Sequence, residues 1–302
     1  MSLDFTGKTV IVTGAGGGLG RCHALDFARR GANVVVNDLG GSVDGSGGSS
    51  EAAEAVVKEI TDNGGTAIAN GASVTDDAGV ANMIQQTLDA FGRIDVLVNN
   101  AGILRDKSFA KMTLEEFQMV LEVHVLGTVK PTHAVFPLMK EQGFGRIMVT
   151  SSSSGLYGNF GQSNYGAGKM GVVGFMNTIK LEGEKYNVHI NALAPIAATR
   201  MTEGLLPDEA FNLLEPHKVT PAVVYMCSDE APTGKIICAG AGAFSVAQMV
   251  EAEGIFVSHE PQAEDIAANW DKISDMSNAK PLGMGGEQTL KFVTKAMENL
   301  PS

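Results

Sequence analysis

The amino-acid sequence predicts an α/β fold in which a doubly wound parallel sheet is followed by a helical C-terminal extension. Three observations predict it. Short runs rich in Val and Ile alternate with helix-length stretches, the pattern of a parallel sheet covered on both faces. A glycine-rich loop, Thr13-Gly14-Ala15-Gly16-Gly17-Gly18-Leu19-Gly20, directly follows the first such run and opens a helix. A serine run, Ser151–Ser154, follows a later strand, and such sheets bind ligands beyond the carboxyl ends of their strands. The architecture is therefore Rossmann-type, a single domain with residues 1–242 as its body and residues 243–302 as an extension of it.

Each element has its own signal. Lys8–Thr13 (KTVIVT) reads as a short buried strand, and the helix after the glycine loop runs from Gly18 to Arg30, closed by Gly31. Asn33–Asn37 (NVVVN) is the second strand, and the Gly/Ser-rich segment Gly40–Ser50 is an exposed loop. A helix over Glu51–Asn63 ends at Gly64-Gly65. Strand Thr66–Ala69, helix Asp76–Phe91 and strand Ile94–Val98 follow. One long helix is expected over Thr113–Glu141, with Pro131 tolerated near a kink. Strand Arg146–Thr150 leads into the serine run, helix Asn164–Tyr186 precedes strand Val188–Leu193, short helices occupy 200–230, and Lys235–Ala239 is the last strand. The extension carries two amphipathic helices, Glu264–Ser274 and Glu287–Asn299.

Composition excludes several classes of function. The 302 residues are 44% hydrophobic, enough for a sizeable core, and the net charge of -12 argues against nucleic acid, whose phosphates need clustered Lys and Arg. Cys22, Cys227 and Cys238 are odd in number and widely spaced, so no disulfide framework or zinc spacing can be drawn through them. No basic, apolar leader opens the chain, no apolar run reaches membrane-spanning length, and the ending Leu300-Pro301-Ser302 is not a peroxisomal address. A cytoplasmic setting with no membrane partner is the expectation. His133, His189 and His217 show no metal-ligand spacing.

The motifs point to hydride transfer coupled to proton transfer. Glycines in the first loop let the backbone approach a pyrophosphate, whose charge the helix N-terminus attracts. Asp38, at the end of the second strand, is either a turn residue before Gly40-Gly41 or a carboxylate for the ribose hydroxyls that repels a 2′-phosphate; with no Lys or Arg between Gly14 and Gly18, NAD is favoured over NADP. Asn99-Asn100-Ala101-Gly102 ends the fourth strand with small residues, and Asn100 can brace the neighbouring backbone. Tyr165 and Lys169 lie four residues apart and so share one helical face. A fixed ammonium there is expected to lower the phenol's pKa, making Tyr165 a usable base, with Ser152 to hold the reacting oxygen. Arg105, Lys107 and Lys111, near the expected site mouth, form either a solvated loop or a cradle for coenzyme A phosphates.

In this order the glycine loop, Asn99–Gly102 and Ser152…Tyr165-x-x-x-Lys169 resemble the short-chain dehydrogenase/reductase family over residues 5–240. Within it, Val35–Gly41, Ile103–Asp106, Gly155–Gln162, Arg200–Thr202 and the tail around Asn269-Trp270 are similar to the (3R)-hydroxyacyl-CoA dehydrogenase part of peroxisomal multifunctional enzymes of type 2. The resemblance implies Ser152, Tyr165, Lys169 and His124 as catalytic residues. It implies Gly14, Gly18, Leu19, Gly20, Asp38, Ser73, Val74, Asn100, Ala101, Gly102, Tyr165, Lys169, Pro195, Ile196 and Thr199 at the NAD cofactor. Three positions depart from the broad family: His124 stands where an Asn is usual, Ser73 where an Asp is usual, and Pro195-Ile196 where Pro-Gly is usual. The implied reaction is NAD-dependent oxidation of a (3R)-hydroxyacyl-CoA to the 3-oxoacyl-CoA by a homodimer or homotetramer. The substrate is a small molecule, with a steroid alcohol or steroid-CoA side chain as the alternative. A non-catalytic NAD-sensing module is the alternative of another class.

Overall fold

The strand that opens the chain ends up in the middle of the sheet. β1 (Thr9–Thr13) pairs in parallel with β2 (Asn33–Asn37) on one side and β4 (Val96–Asn99) on the other. The structure, a computed structural model, describes residues 3–198 and 208–300. With β3 (Thr66–Asn70), β5 (Gly145–Thr150), β6 (Val188–Ile196), β7 (Ile236–Gly240) and β8 (Ala243–Ala247), the strand order is β3-β2-β1-β4-β5-β6-β7-β8. The registers from β3 through β7 are all parallel. The order reverses between β1 and β4, so a crevice opens at their carboxyl ends, where the glycine loop and Asn99–Gly102 lie.

Helices cover the sheet. α1 (Gly18–Arg29) buries Gly20, His23, Ala24, Phe27 and Ala28, one stripe at helical spacing. α2 (Glu51–Asp62) buries Ala53, Val56 and Ile60 in the same way. α3 (Asp77–Phe91) starts where the Asp76 side chain accepts from Gly79 N and stops at left-handed Gly92. Val10, Val12, Val34, Val36, Val96 and Val98 are all fully buried in one core cluster, each stabilising by roughly 1.5–3 kcal/mol relative to exposure.

The expected long helix over 113–141 is two helices. Thr113 and Glu116 form a capping box for α4 (Leu114–Leu121); a π turn, Glu122–Leu126, follows, and α5 (Gly127–Gln142) resumes. The interruption lies at the π turn, while Pro131 is carried inside α5. No Pro or Gly marks residues 122–126, which is why the break could not be placed from sequence. After β5 come the short α6 (Ser153–Tyr157) and the long α7 (Ser163–Gly183). Further on lie α8 (Asp208–Leu213) and α9 (Thr220–Met226). The strand at 235–239 is not the last, because β8 follows it.

The chain divides into two compact units, Met1–Val246 and Ala247–Ser302. In the second, Glu251 and Lys280 form an antiparallel bridge, and Lys291 and Lys295 pair with Glu251 and Glu253. Its helices are α10 (Ala263–Ala268), α11 (Trp270–Ile273) and α12 (Gly285–Glu298). The first amphipathic stretch is thus broken at Asn269, whose side chain bonds back to Asp265 O. Trp270, Leu290, Phe292 and Met297 are exposed, consistent with a segment too short to build a core by itself.

Candidate active site

The β1–α1 loop is built so that one side is packed and the other open. Gly14 has φ +62°, and a Cβ there would lie 2.8 Å from Ala101 Cα; a Cβ on Gly20 would lie 2.3 Å from Gly14 O. On the other side, a Cβ on Gly17, the N-cap of α1, would meet nothing within 4 Å, and no side chain caps that helix start. The first amides of α1 are therefore free to bind an anion. Gly18, with φ +51°, begins α1, and Leu19 turns inward onto the core.

The neighbouring loop holds this one in place. Asn100 Nδ2 donates to Thr13 O at 3.0 Å and to Gly14 O at 2.9 Å. Thr13 Oγ1 accepts from Asn100 N and Ala101 N at 3.0 and 3.1 Å. Asp38 is half-buried beside the loop; its Oδ2 accepts from Gly16 N and its Oδ1 from Gly40 N, each at 2.7 Å. Each carboxylate oxygen keeps a lone pair for a further donor such as a ribose hydroxyl. Open glycine backbone, an uncapped helix start and a fixed carboxylate fit a dinucleotide. Ser73 bonds Thr75, and Val74 packs against Gly127, where a Cβ would lie 2.6 Å from Val74 Cγ2. Pro195 and Ile196 end β6, with Ile196 exposed; Thr199 and Arg200–Thr202 lie outside the described residues.

At the end of β5, α6 and α7 bring Ser152, Tyr165 and Lys169 together. Ser152 is the N-cap of α6, its Oγ accepting from Ser154 N at 3.2 Å. Lys169 is buried; its Nζ donates to Thr150 O at 2.6 Å and lies 5.5 Å from the centre of the Tyr165 ring. A Cβ on Gly155 would lie 2.7 Å from Lys169 Cβ, so this glycine lets α6 close onto α7.

The electrostatics run opposite to the expectation from spacing. Burial holds the Tyr165 phenol above its ordinary value of 10; the Ser152 hydroxyl works against that shift, and the Asp106 charge adds to it. Burial also pulls Lys169 down from 10.5 to about 7. One low-dielectric pocket disfavours both charged forms, so burial and not the ammonium sets the direction of the phenol's shift. His124 lies in the π turn, buried, with its ring edge-on to Tyr165 at 5.1 Å between centroids. Burial, then the Lys169 charge, holds it well below 6.5, against a hydrogen bond to Ile103.

Several supporting residues went unseen in the sequence. Thr13 and Thr150 act through oxygens that meet partners far along the chain, and Asn164 links Arg105 O (2.9 Å) with Tyr165 N (2.7 Å). Thr150 had one local clue, its place at the strand end before the serine run. Of the basic trio, Lys107 is paired with Glu116, Arg105 Nε donates to Asp44 O, and Lys111 is exposed. Among the described residues no His/Cys/Asp/Glu cluster could hold a metal, and no helix is long and apolar enough to cross a membrane.

Fold and site together define an α/β oxidoreductase that uses a nicotinamide dinucleotide. The chain belongs to the short-chain dehydrogenase family, whose model matches residues 8–210. It is 49% identical over 277 residues to a short-chain type dehydrogenase/reductase of Mycobacterium tuberculosis, covering 91% of this chain and 97% of that one. It is 48% identical over 288 residues to peroxisomal multifunctional enzyme type 2 of Drosophila melanogaster, covering 93% of this chain but only 47% of that enzyme. The full-length structure of that enzyme superposes with a TM-score of 0.82 at 39% identity, covering 98% of this chain and 50% of the other. The chain thus spans about half the length of this multifunctional relative. A 7α-hydroxysteroid dehydrogenase, solved with NADH and 7-oxo glycochenodeoxycholic acid, superposes with a TM-score of 0.71 at 27% identity, covering 80% of this chain and 95% of that one.

Proposed function

We propose that this chain oxidises a (3R)-hydroxyacyl-CoA to the 3-oxoacyl-CoA with NAD as electron acceptor. The observation that carries the reading is the trio at the end of β5: Ser152 and half-buried Tyr165 side by side, with Lys169 pinned beneath by Thr150 O. The substrate class rests on the likeness to multifunctional enzyme type 2 over 93% of this chain. NAD rather than NADP rests on Asp38, whose carboxylate stands where a 2′-phosphate would be repelled.

The cofactor, when bound, supplies the hydride acceptor and a positively charged ring. The glycine loop and the α1 N-terminus would hold its pyrophosphate, Asp38 a ribose, and Tyr165 and Lys169 the nicotinamide ribose. Ser152 hydrogen-bonds the substrate oxygen and retains it as a carbonyl forms. Tyr165 takes the hydroxyl proton as general base. Lys169, partly charged near pH 7, favours the phenolate when it holds its proton, and the positive charge of the cofactor ring would add to that. Arg105 and Lys111 are the cations of the basic trio left for coenzyme A phosphates, since Lys107 is neutralised by Glu116. Function as a homodimer or homotetramer, in the cytoplasm, belongs to the same proposal.

The deciding experiment is NAD reduction measured across (3R)- and (3S)-hydroxyacyl-CoAs of several lengths, with a steroid alcohol as comparison. Tyr165→Phe is expected to abolish turnover while NADH still binds; near-full activity in that variant defeats the mechanism. Turnover of the steroid alone selects the alternative that the 7α-hydroxysteroid dehydrogenase likeness favours. A flat absorbance trace with every alcohol, despite tight NAD binding, selects the sensing module.

A further inference from the structure

We infer that Asn37, Asn70 and Gln86 form a directional chain of amides that seats the turn Gly71–Thr75 as the adenosine-side wall of the cofactor crevice. They are positioning residues for the cofactor. The inference rests on the dinucleotide reading proposed above, in which Asp38 holds the adenosine ribose.

β2 and β3 run in parallel with Asn37 opposite Asn70 at their carboxyl ends, the edge at which such sheets bind ligands. Both residues are buried, and each amide of the chain has one orientation only. Gln86, on α3, donates from Nε2 to Ala69 O at 3.1 Å, so its Oε1 is the atom that accepts from Asn70 Nδ2 at 2.8 Å. Asn70 Oδ1 accepts from Ala72 N at 3.0 Å and from Asn37 Nδ2 at 2.8 Å. The other proton of Asn37 Nδ2 goes to Ala72 O at 2.9 Å. A main-chain group thus fixes every amide, and both backbone polar groups of Ala72 are held. Apolar side chains at 37 and 70 could join the two strands without burying polar atoms; only amides can also hold the turn.

The held turn borders the rest of the crevice. Asn37 O accepts from Ala15 N in the glycine loop, and Asn70 O from Asp38 N, both at 3.0 Å. The same two residues therefore hold the glycine loop and Asp38 by their backbone, and the turn beside them by their side chains. The far end of the turn is fastened separately. Lys130 Nζ donates to Thr75 O at 2.6 Å, and buried Val74 packs against Gly127. The near end is open: Gly71 is exposed, and a Cβ there would have only Ser50 Cβ, at 4.0 Å, within reach. A turn anchored at both ends, open on one side and next to the ribose carboxylate suits the adenine ring.

AMP carries the adenosine half of the cofactor, and its binding needs no substrate. In the wild-type chain AMP is expected to slow amide hydrogen exchange over residues 71–75. Asn37→Leu and Asn70→Leu keep the side-chain size and the strand pairing but release Ala72. Each should raise the dissociation constants of AMP and NADH about tenfold, the worth of one such bond. In turnover, KM for NAD should rise by a similar factor while kcat stays within about twofold, the pattern of lost binding far from the reacting end. Unchanged AMP affinity in both variants, a loss of kcat without a change in KM, or wild-type exchange at 71–75 indifferent to AMP overturns the proposal. Should both variants fail to fold, the wild-type exchange experiment decides alone. A wild-type chain that binds neither AMP nor NADH defeats the dinucleotide reading and this inference together. One that binds both but oxidises no hydroxyacyl-CoA defeats the proposed substrate only, and the AMP measurements still decide the role of the amides.

Discussion

Asn100→Ala removes the two bonds that fasten the glycine loop to the end of β4, and its consequence can be worked from the structure. Nδ2 donates to Thr13 O and Gly14 O at 3.0 and 2.9 Å, and both carbonyls are left without that donor. Each lost bond is worth about 1 kcal/mol net, and a buried carbonyl left unpaired costs about 1–3 kcal/mol. Thr13 is fully buried and Gly14 half-buried, and roughly 2–4 kcal/mol in total is a fair sum. Gly14 at φ +62° has no other side-chain brace on that carbonyl, while the Thr13 Oγ1 contacts to Asn100 N and Ala101 N persist. The loop is therefore loosened, not lost. If half the cost falls on cofactor binding, the NADH dissociation constant rises about tenfold, since about 1.4 kcal/mol is a decade; the remainder lowers the melting temperature. Asn100→Asp should be worse than Ala, because it keeps the shape but turns an acceptor toward two carbonyls. Titration of NADH fluorescence reads both variants without any substrate. An Ala variant binding NADH as wild type does, or an Asp variant tighter than Ala, would refute the bracing role.

Lys169→Met tests the buried ammonium. Lys169 titrates near 7 in the fold against an ordinary 10.5, so between those values the unfolded chain binds more protons and the stability of the cofactor-free protein rises with pH. Urea unfolding at about pH 7 and about pH 9 should show that rise in wild type and a smaller one in the Met variant; equal slopes contradict the burial account. Gly102→Ala should cost about 1–3 kcal/mol by overpacking against His124 Cε1, and much less in a His124→Ala background. Thermal melts of the four proteins measure that coupling, and strict additivity would show that the ring is not what requires the glycine. Asp38→Ser should weaken NAD about 10- to 100-fold, the loss of charge-assisted bonds, and raise the preference for NADP. An unchanged NAD-to-NADP ratio would remove Asp38 as the discriminator.

Legibility from sequence followed locality. The β1–loop–α1 unit was readable because consecutive glycines and a Val/Ile run have few folds open to them, and Tyr165 and Lys169 because a four-residue step on a helix needs no tertiary information. Even the bracing role of Asn100 was visible in outline. The π turn was not: Glu122–Leu126 contains no breaker, and His124 within it packs against Gly102 and Tyr165, contacts that no local pattern carries. Thr13 was hidden because its partners, Asn100 and Ala101, are 87 and 88 residues away. The split of the tail helix at Asn269 depends on a bond from its own side chain to Asp265 O, which a smooth amphipathic pattern conceals.

By itself the sequence determined the order of the strands from β1 to β7 with the main helices between them, the glycine loop followed by Asp38, and the shared helical face of Tyr165 and Lys169. All of these follow from short-range geometry, the left-handed freedom of glycine and the helical repeat. Only the tertiary structure decided how those groups behave. The direction of the Tyr165 shift depends on how much water every surrounding element excludes. A spacing rule sees the ammonium and not the desolvation that raises the phenol and lowers Lys169 together. The partner of His124 was decided there too, because the Ile103 carbonyl reaches it from another strand's loop, 21 residues away in the chain.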